Sequence, residues 1–544
     1  MMSETLIVHG RIRTMDPAQP MAAAMLIRNG SIVALGPSAK MRRMASAQAH
    51  VIDAGGRLVL PGFQDAHIHF LSGGTDLATS APLYDVKTLP ELAATMAAHA
   101  ARHPALPLVI GAGWQPGLFG DESLTAAAID AATGDRPAVL YDSSFHNACL
   151  NSAALRLAGI EAGTTDPANG HIVRDRSGAA TGMLHEDAIK WALDRLPQLS
   201  DDDYMAGLLA AQAHGHAHGL TGVLDPRIEE LESRIYSRAL AENLLTIRVA
   251  GAALVRESDT VETALPRLLA MRAAAPGPMF HINSAKFFMD GVFENRTAAL
   301  LAPYADTAGG NAPCMFGQAQ TLALMTALDA ARFQIHVHVI GDAALRRSLD
   351  GFEAARTANG PWPGLHQLAH LQLVDPVDAP RLSALGAMAN IQPLWARYDP
   401  VVPDIALDMI GAERQPLTYP FRSLLDMGTA TCLSSDWPVS TLNPFEIIET
   451  AVTRQARLAE DPKDPFQPQE RLAVEDCVLG YTAQAAAACW RGDYTGRLRP
   501  GFSGDAIILD QDIFSCPPWK ISDTKVLLTL FQGREVYRAG WFAG

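Results

Sequence analysis

Six cysteines in 544 residues are too few and too dispersed for a disulfide framework. Cys149, Cys314, Cys432, Cys477, Cys489 and Cys516 never fall in a C-x-x-C pair, so thiolate zinc knuckles are equally unsupported and a reducing compartment fits. A basic surplus is missing too. The 43 Lys+Arg against 58 Asp+Glu give a formal net charge of −15, and no basic run offsets it, which argues against nucleic acid or an anionic membrane as partner. No apolar stretch approaches the ~20 residues that a bilayer crossing needs. The opening Met1-Met2-Ser3-Glu4-Thr5 lacks a basic segment leading into an apolar one; no signal peptide is therefore expected, and the expected location is cytoplasmic. Internal repeats and low-complexity tracts are also lacking. What the chain does have is apolar: 48% hydrophobic residues beside 19% charged ones exclude a disordered chain. Its length exceeds the roughly 250–300 residues that one core organises, so a large catalytic domain with smaller modules is expected.

Short alternating runs open the chain. The pattern predicts strands over Thr5–Val8, Arg11–Thr14, Ala24–Ile27 and Ser31–Leu35, with Asn29-Gly30 as a hairpin turn. The far end reads alike over Ala506–Leu509, Val526–Phe531 and Glu535–Arg538. Neither piece is long enough to bury a core alone, so the two are expected to combine as one small β-sandwich, from 1–60 and 491–544. Between them, strand and helix alternate. Eight strands are expected near Leu58–Ala66, Thr221–Leu224, Leu245–Ala250, Ser284–Phe288, Phe333–Val339, His366–His370, Ala387–Ile391 and Thr429–Ser434, with alanine-rich helices between most of them. The fold class this implies is α/β, a (β/α)8 TIM-type barrel over 61–490. Its first crossover, about 71–200, is several times a normal connection and carries strands of its own, so an insertion above the barrel mouth is expected.

Histidines gather at the expected strand ends. In Pro61-Gly62-Phe63-Gln64-Asp65-Ala66-His67-Ile68-His69, alternation sends His67 and His69 to the same side, where two imidazoles can share one metal ion; two half-buried histidines are the plainer alternative. Gln334 to Asp342 repeats the arrangement with His336 and His338, of which His338 is nearer the mouth and His336 a layer deeper. His366 and His370 follow the same logic. The last strand ends Cys432-Leu433-Ser434-Ser435-Asp436-Trp437-Pro438; an aspartate there is commonly a cap, but here it closes a ring of four histidines. Lys286 sits in an apolar strand, where burying an ammonium is costly. It either pairs with Asp290 or is carboxylated by CO2, which turns a cation into a carboxylate able to bridge two metals. His214-Gly215-His216-Ala217-His218 resembles a metal tract but lies between a helix and the next strand, on the face expected to be opposite the chemistry.

Taken together, P-G-F-x-D-x-H-x-H, K-x-x-x-D-G, H-x-I-G-D, the His370 strand and S-D-W-P resemble the amidohydrolase superfamily, in the branch of N-substituted formamide deformylases and related metal-dependent hydrolases. The resemblance spans nearly the whole chain and includes Arg296–Leu300, His146–Leu155 and Thr495–Gly501. It implies two divalent metals, zinc first with manganese, cobalt or iron as alternatives. His67 and His69 would bind one and His338 and His370 the other, with the Lys286 carbamate bridging and Asp436 facing the nucleophile. His146 and Trp437 become candidates for substrate contact. The implied activity is hydrolysis of a non-peptide C–N bond, amide-type, N-substituted formamide or N-acyl amine, by a metal-bound hydroxide with Asp436 as catalytic acid–base. Ester, lactone or imine-type hydrolysis at the same centre is the alternative, and a non-catalytic scaffold a remoter one. Phe63, Phe70, Leu71, Phe287, Phe288, Trp395 and Trp437 lie near the ligands in sequence, so a neutral, partly hydrophobic small-molecule substrate is expected. A homodimer or larger homo-oligomer is compatible with the sequence.

Overall fold

Parallel strands buried on both faces need near-continuous apolar runs and a covering layer of helices, and the middle of the chain supplies both. A computed structural model describes residues 4–114, 124–142, 147–167, 170–294, 296–306, 310–398, 403–456 and 464–542. The chain divides into two compact units, Met1–Phe70 with Gln212–Gly544, and Leu71–Ala211.

The larger unit is built on an eight-stranded parallel sheet. Its strands, in chain order, are β1 (Phe63–Asp65), β2 (Leu220–Ile228), β3 (Arg248–Leu254), β4 (Phe280–Phe288), β5 (Gln334–Val339), β6 (Gln367–His370), β7 (Met388–Ile391) and β8 (Ala430–Leu433). Each pairs with the next in this order, with β1 and β8 at the two ends, a nearly closed barrel. Closure continues just past the strands, where the Asp436 amide donates to the His67 carbonyl at 2.8 Å and the His69 amide to the Trp437 carbonyl at 2.9 Å. The helix Asp342–Asn359 shows how local sequence serves this frame. Leu345, Leu349 and Phe352 form its buried stripe at helical spacing, Asp342 lies in its first turn and Arg356 in its last, matching the helix dipole, and Gly360 (φ 76°) ends it.

Strands from both ends of the chain share a six-stranded sheet. Leu58–Pro61 pairs with Arg11–Arg13 on one side and Ala506–Leu509 on the other. A four-stranded sheet of Glu4–Val8, Ala24–Arg28, Ser31–Gly36 and His50–Asp53 shares its core with these strands, through Ile7, Met25, Ile27, Val59, Ile508 and Leu528. The run expected as one strand, Leu58–Ala66, thus divides between two sheets at Gly62. The Gly62 amide donates to the Asp505 carbonyl at 3.0 Å, and a Cβ there would lie 2.4 Å from Thr221 Cγ2. Gly62→Ala is expected to cost about 1–3 kcal/mol by overpacking, read as a lowered denaturant midpoint; an unchanged midpoint would show that Thr221 can give way.

The smaller unit has its own six-stranded sheet, ordered Gly170–Arg174, Ala180–Glu186, Asn147–Leu150, Ala138–Asp142, Val109–Trp114, Ser80–Pro82. The hairpin expected around Ser177-Gly178 is present. Asp175 accepts hydrogen bonds from the Ser177 and Ala179 amides, and Gly178 adopts φ 87°. Among the described residues, all six cysteines are free, and no helix is long and apolar enough to cross a membrane.

Candidate metal centre

The β1 strand ends at Asp65, whose buried carboxylate accepts hydrogen bonds from the His67 amide (3.1 Å) and the Ser435 amide (3.1 Å). It thereby ties the chain leaving β1 to the chain leaving β8. Burial raises the Asp65 carboxyl to about 7. On this clamp His67 Nε2 and His69 Nε2 lie 3.4 Å and 3.3 Å from Asp436 Oδ1. Among the described residues, His67, His69 and Asp436 are the one group of three or more His, Cys, Asp or Glu residues whose ligand atoms all fall within 4.8 Å of one another. Asp436 reaches this position with φ 57°, a strained backbone for a non-glycine residue that is held by the hydrogen bond its amide donates to the His67 carbonyl.

The second pair stands beside the first. The His338 and His370 rings are 4.4 Å apart, and His370 is 5.1 Å from His67. His338 Nε2 lies 3.1 Å from the Gly291 carbonyl, an acceptor only, so it carries the proton and leaves Nδ1 as the lone pair. His370 Nδ1 meets Gln392 Oε1 at 2.9 Å. His336, one layer deeper, puts Nε2 2.8 Å from His67 Nδ1. Burial keeps His67, His336 and His370 well below the usual imidazole range and takes His338 to about 3, which favours neutral rings with free lone pairs at these four positions.

Lys286 on β4 is fully buried, and its Nζ has no hydrogen-bond partner among the described residues. The Phe288 ring lies 4.6 Å away. Burial lowers the amine to about 7, with the Asp436 charge opposing and Arg227 adding to the effect. The ion pair with Asp290 does not form. Asp290 instead accepts from the backbone amides of Ala299 (3.0 Å), Ile340 (3.0 Å) and Gly341 (2.8 Å), which make it an organiser of the loops after β4 and β5.

Imidazole nitrogens and a carboxylate suit zinc and its neighbours. The buried Lys286 Nζ and Asp436 Oδ1, both without a hydrogen bond, are the loose ends that a bound cation and a carbamate would satisfy, so the residues fit a metal site. Other candidates fare differently. His146 lies outside the described residues. Trp437 is buried beside Phe70 (6.4 Å) and His214 (5.8 Å). That contact puts His214 on the flank of the site, nearer than its place before a barrel strand implies. The tract it opens gathers no ligand cluster, because His216 spends both nitrogens on the Leu220 carbonyl and Thr246 Oγ1. Of the aromatic residues expected at the mouth, Trp395 stacks on His370 at 4.9 Å and Phe288 lies 5.5 Å from His338. Phe63 and Phe287 turn into the core, against Tyr481 and Phe316. Asp65 stands in the P-G-F-x-D-x-H-x-H motif but its spacing assigns it no role, and Gln392 carries no mark in the sequence; closure of the barrel brings both to the ligands.

Comparison with known proteins agrees with this geometry. The amidohydrolase family model matches residues 50–537. The N-substituted formamide deformylase of Arthrobacter pascens is 28% identical over 559 residues, covering 98% of each chain. Protein LONG AFTER FAR-RED 3 of Arabidopsis thaliana is 28% identical over 98% of this chain and 92% of its own. The crystal structure of an uncharacterized metal-dependent hydrolase from Pyrococcus furiosus superposes with a TM-score of 0.77 at 25% identity, covering 94% of this chain and all of that one. With its barrel, its histidine-lined mouth and a family match over most of its length, the chain belongs to the amidohydrolase family.

Proposed function

We propose that this protein hydrolyses a non-peptide C–N bond, in an N-substituted formamide or N-acyl amine, at a centre for two divalent metals. The observation that carries the reading is the convergence of His67, His69 and Asp436 within 4.8 Å, beside the His338–His370 pair and an unpartnered buried lysine. When bound, the metals, zinc first among them, supply Lewis acidity that lowers the pKa of water from about 15.7 toward ~7 and polarises a carbonyl. His67 and His69 would hold one ion, and His338 and His370 the other. Lys286 would join them as its carbamate: burial favours the neutral amine, whose lone pair attacks CO2, forming the N–C bond while one N–H proton leaves to solvent.

The Asp436 carboxylate accepts the proton of the attacking water and passes it to the departing nitrogen. The water oxygen bonds to the carbonyl carbon, the C–N bond breaks, and a carboxylic acid and an amine result. Phe288 and Trp395 give the mouth apolar walls that favour a neutral substrate with a hydrophobic or aromatic N-substituent. Trp437 and His146 remain candidates for shaping that pocket. We also read the two sheets built from both chain ends as one β-sandwich, with divisions at 1–60, 61–490 (insertion about 71–200) and 491–544.

The test is metal analysis joined to a substrate panel. Purified protein is expected to carry between one and two equivalents of transition metal, to lose activity on chelation and to regain it with zinc, manganese or cobalt. N-benzyl or long-alkyl amides should turn over better than zwitterionic ones. Full activity in rigorously metal-free protein would end the metal reading, whereas preference for charged amides would overturn only the pocket.

A further inference from the structure

We infer that Gln392 is the positioning residue that decides which nitrogen of His370 is free to hold a metal, and that a run of buried amides across the barrel fixes Gln392 in turn. The inference rests on the metal reading proposed above and adds a part to it that neither the motifs nor the family match assigns.

The interior of such a barrel is ordinarily filled by branched apolar side chains. Here a connected part of it is polar. Ser284 on β4, Gln334 on β5, Gln367 on β6, Asn390 on β7, Gln392 just beyond β7 and Ser434 just beyond β8 are all buried, none more than 2% exposed. They are uncharged, so this part can be satisfied by hydrogen bonds without burying a charge. Ser284 Oγ donates to Gln334 Oε1 (2.7 Å), Gln367 Nε2 donates to the same oxygen (2.9 Å), and Asn390 Nδ2 donates to Gln367 Oε1 (2.8 Å).

An amide side chain can be turned end for end with little change of shape, but not where one end faces a backbone carbonyl, which only accepts. Three members of the run are anchored in that way. Gln334 Nε2 faces the Leu365 carbonyl (2.8 Å), Gln367 Nε2 the Ala488 carbonyl (3.0 Å), and Asn390 Nδ2 the Ala66 carbonyl (2.9 Å). Ala66 is the residue directly before His67, so the run is referenced to the first ligand pair.

With Asn390 Nδ2 committed, its Oδ1 must face the other way, where it accepts from Ser434 Oγ (2.5 Å) and Gln392 Nε2 (3.1 Å). Gln392 Nε2 also donates to Ser434 Oγ (2.6 Å). Its remaining atom, Oε1, has no choice but to face His370, 2.9 Å from Nδ1. That oxygen can only accept, so His370 carries its proton on Nδ1, and Nε2 is left as the lone pair. A chain of one-way hydrogen bonds that starts at the Ala66 carbonyl therefore ends by setting the tautomer of His370, a proposed ligand 22 residues before Gln392 in the chain. His370 itself stands at φ 78°, a strained backbone that makes an outside support for its ring more necessary.

Two substitutions in the full-length protein separate this role from a packing role. Gln392→Glu keeps an oxygen acceptor for His370 Nδ1 but places a charge in the amide run and removes two donated bonds. Gln392→Leu removes the acceptor and leaves a neutral, apolar group. Zinc affinity, measured by competition with a chromophoric chelator, is expected to fall about 10–100-fold in Gln392→Leu, as for the loss of other partners behind a metal ligand, and much less in Gln392→Glu. Folding stability of the metal-free proteins is expected in the opposite order, with Gln392→Glu the weaker. A packing role predicts the same order in both measurements, and that result would overturn the inference. So would equal zinc affinity in wild type and Gln392→Leu, while wild-type protein that takes up no zinc removes the metal reading itself. Nitrogen-15 NMR of metal-free protein labelled at histidine gives an answer that depends on neither zinc nor the glutamate variant: His370 is expected as the Nδ1–H tautomer in wild type and as a mixture in Gln392→Met, and an Nε2–H tautomer in wild type refutes the proposal.

Discussion

Asp436→Asn is expected to lower turnover by about 10²–10⁴-fold, the span that a positioned acid–base group contributes, while leaving much of the metal bound. Asparagine keeps an oxygen near His67 Nε2 and His69 Nε2, which stand 3.4 Å and 3.3 Å from Asp436 Oδ1. What it loses is the ability to accept a proton and return it. His67→Ala and His338→Ala should behave differently, losing metal and activity together, because an imidazole nitrogen has no substitute at either position. Elemental analysis beside steady-state kinetics separates the two outcomes. Turnover of Asp436→Asn within about tenfold of wild type, a barrier change of under ~1.4 kcal/mol, would mean that the proton travels by another route.

The second large effect is expected at Lys286. Lys286→Met should lose most activity and bind the metal pair poorly, yet the metal-free variant should be at least as stable as metal-free wild type. The reason is that the native amine is fully buried and has no hydrogen-bond partner among the described residues, so its removal takes away a desolvated polar group without breaking a hydrogen bond seen there. Incubation of metal-loaded wild type with 13C-labelled bicarbonate should give a carbamate carbon signal that is missing in Lys286→Met. A free ammonium in metal-loaded, active protein would overturn the carboxylation. A large loss of metal-free stability in Lys286→Met would show that the lysine has a structural partner after all.

Much of this protein is legible in its sequence, because the relevant signals are short in range. The eight barrel strands were legible as apolar runs separated by alanine-rich helices, and each observed strand overlaps an expected one, with β2, β3 and β4 running up to four residues past the expected bounds. His67, His69 and Asp436 were legible as candidates because position at a strand's end is a local property, but β1 ends at Asp65, so the two histidines stand past the strand and alternation along it does not place them. The first strand was read as one piece because a single glycine in an apolar run carries no mark of a change of sheet. That change at Gly62 depends on Thr221 and Asp505, both far away in sequence.

The amino-acid sequence by itself determined which side chains stand at the strand ends and the alternation of strand and helix that closes a barrel. The tertiary structure alone decided how those side chains are held. Whether Lys286 pairs with Asp290 could not be settled from four residues of spacing; it was settled by three amides, from Ala299, Ile340 and Gly341, that occupy Asp290 first. Whether a glutamine in a strand is exposed, packed or connected has no periodic signature either. Gln334, Gln367 and Gln392 became one hydrogen-bonded run, joined through Asn390, only when the three strands β5, β6 and β7 stood side by side. Hydrogen bonds between strands are fixed by register across the sheet, and register is a property of the closed barrel that no single segment carries.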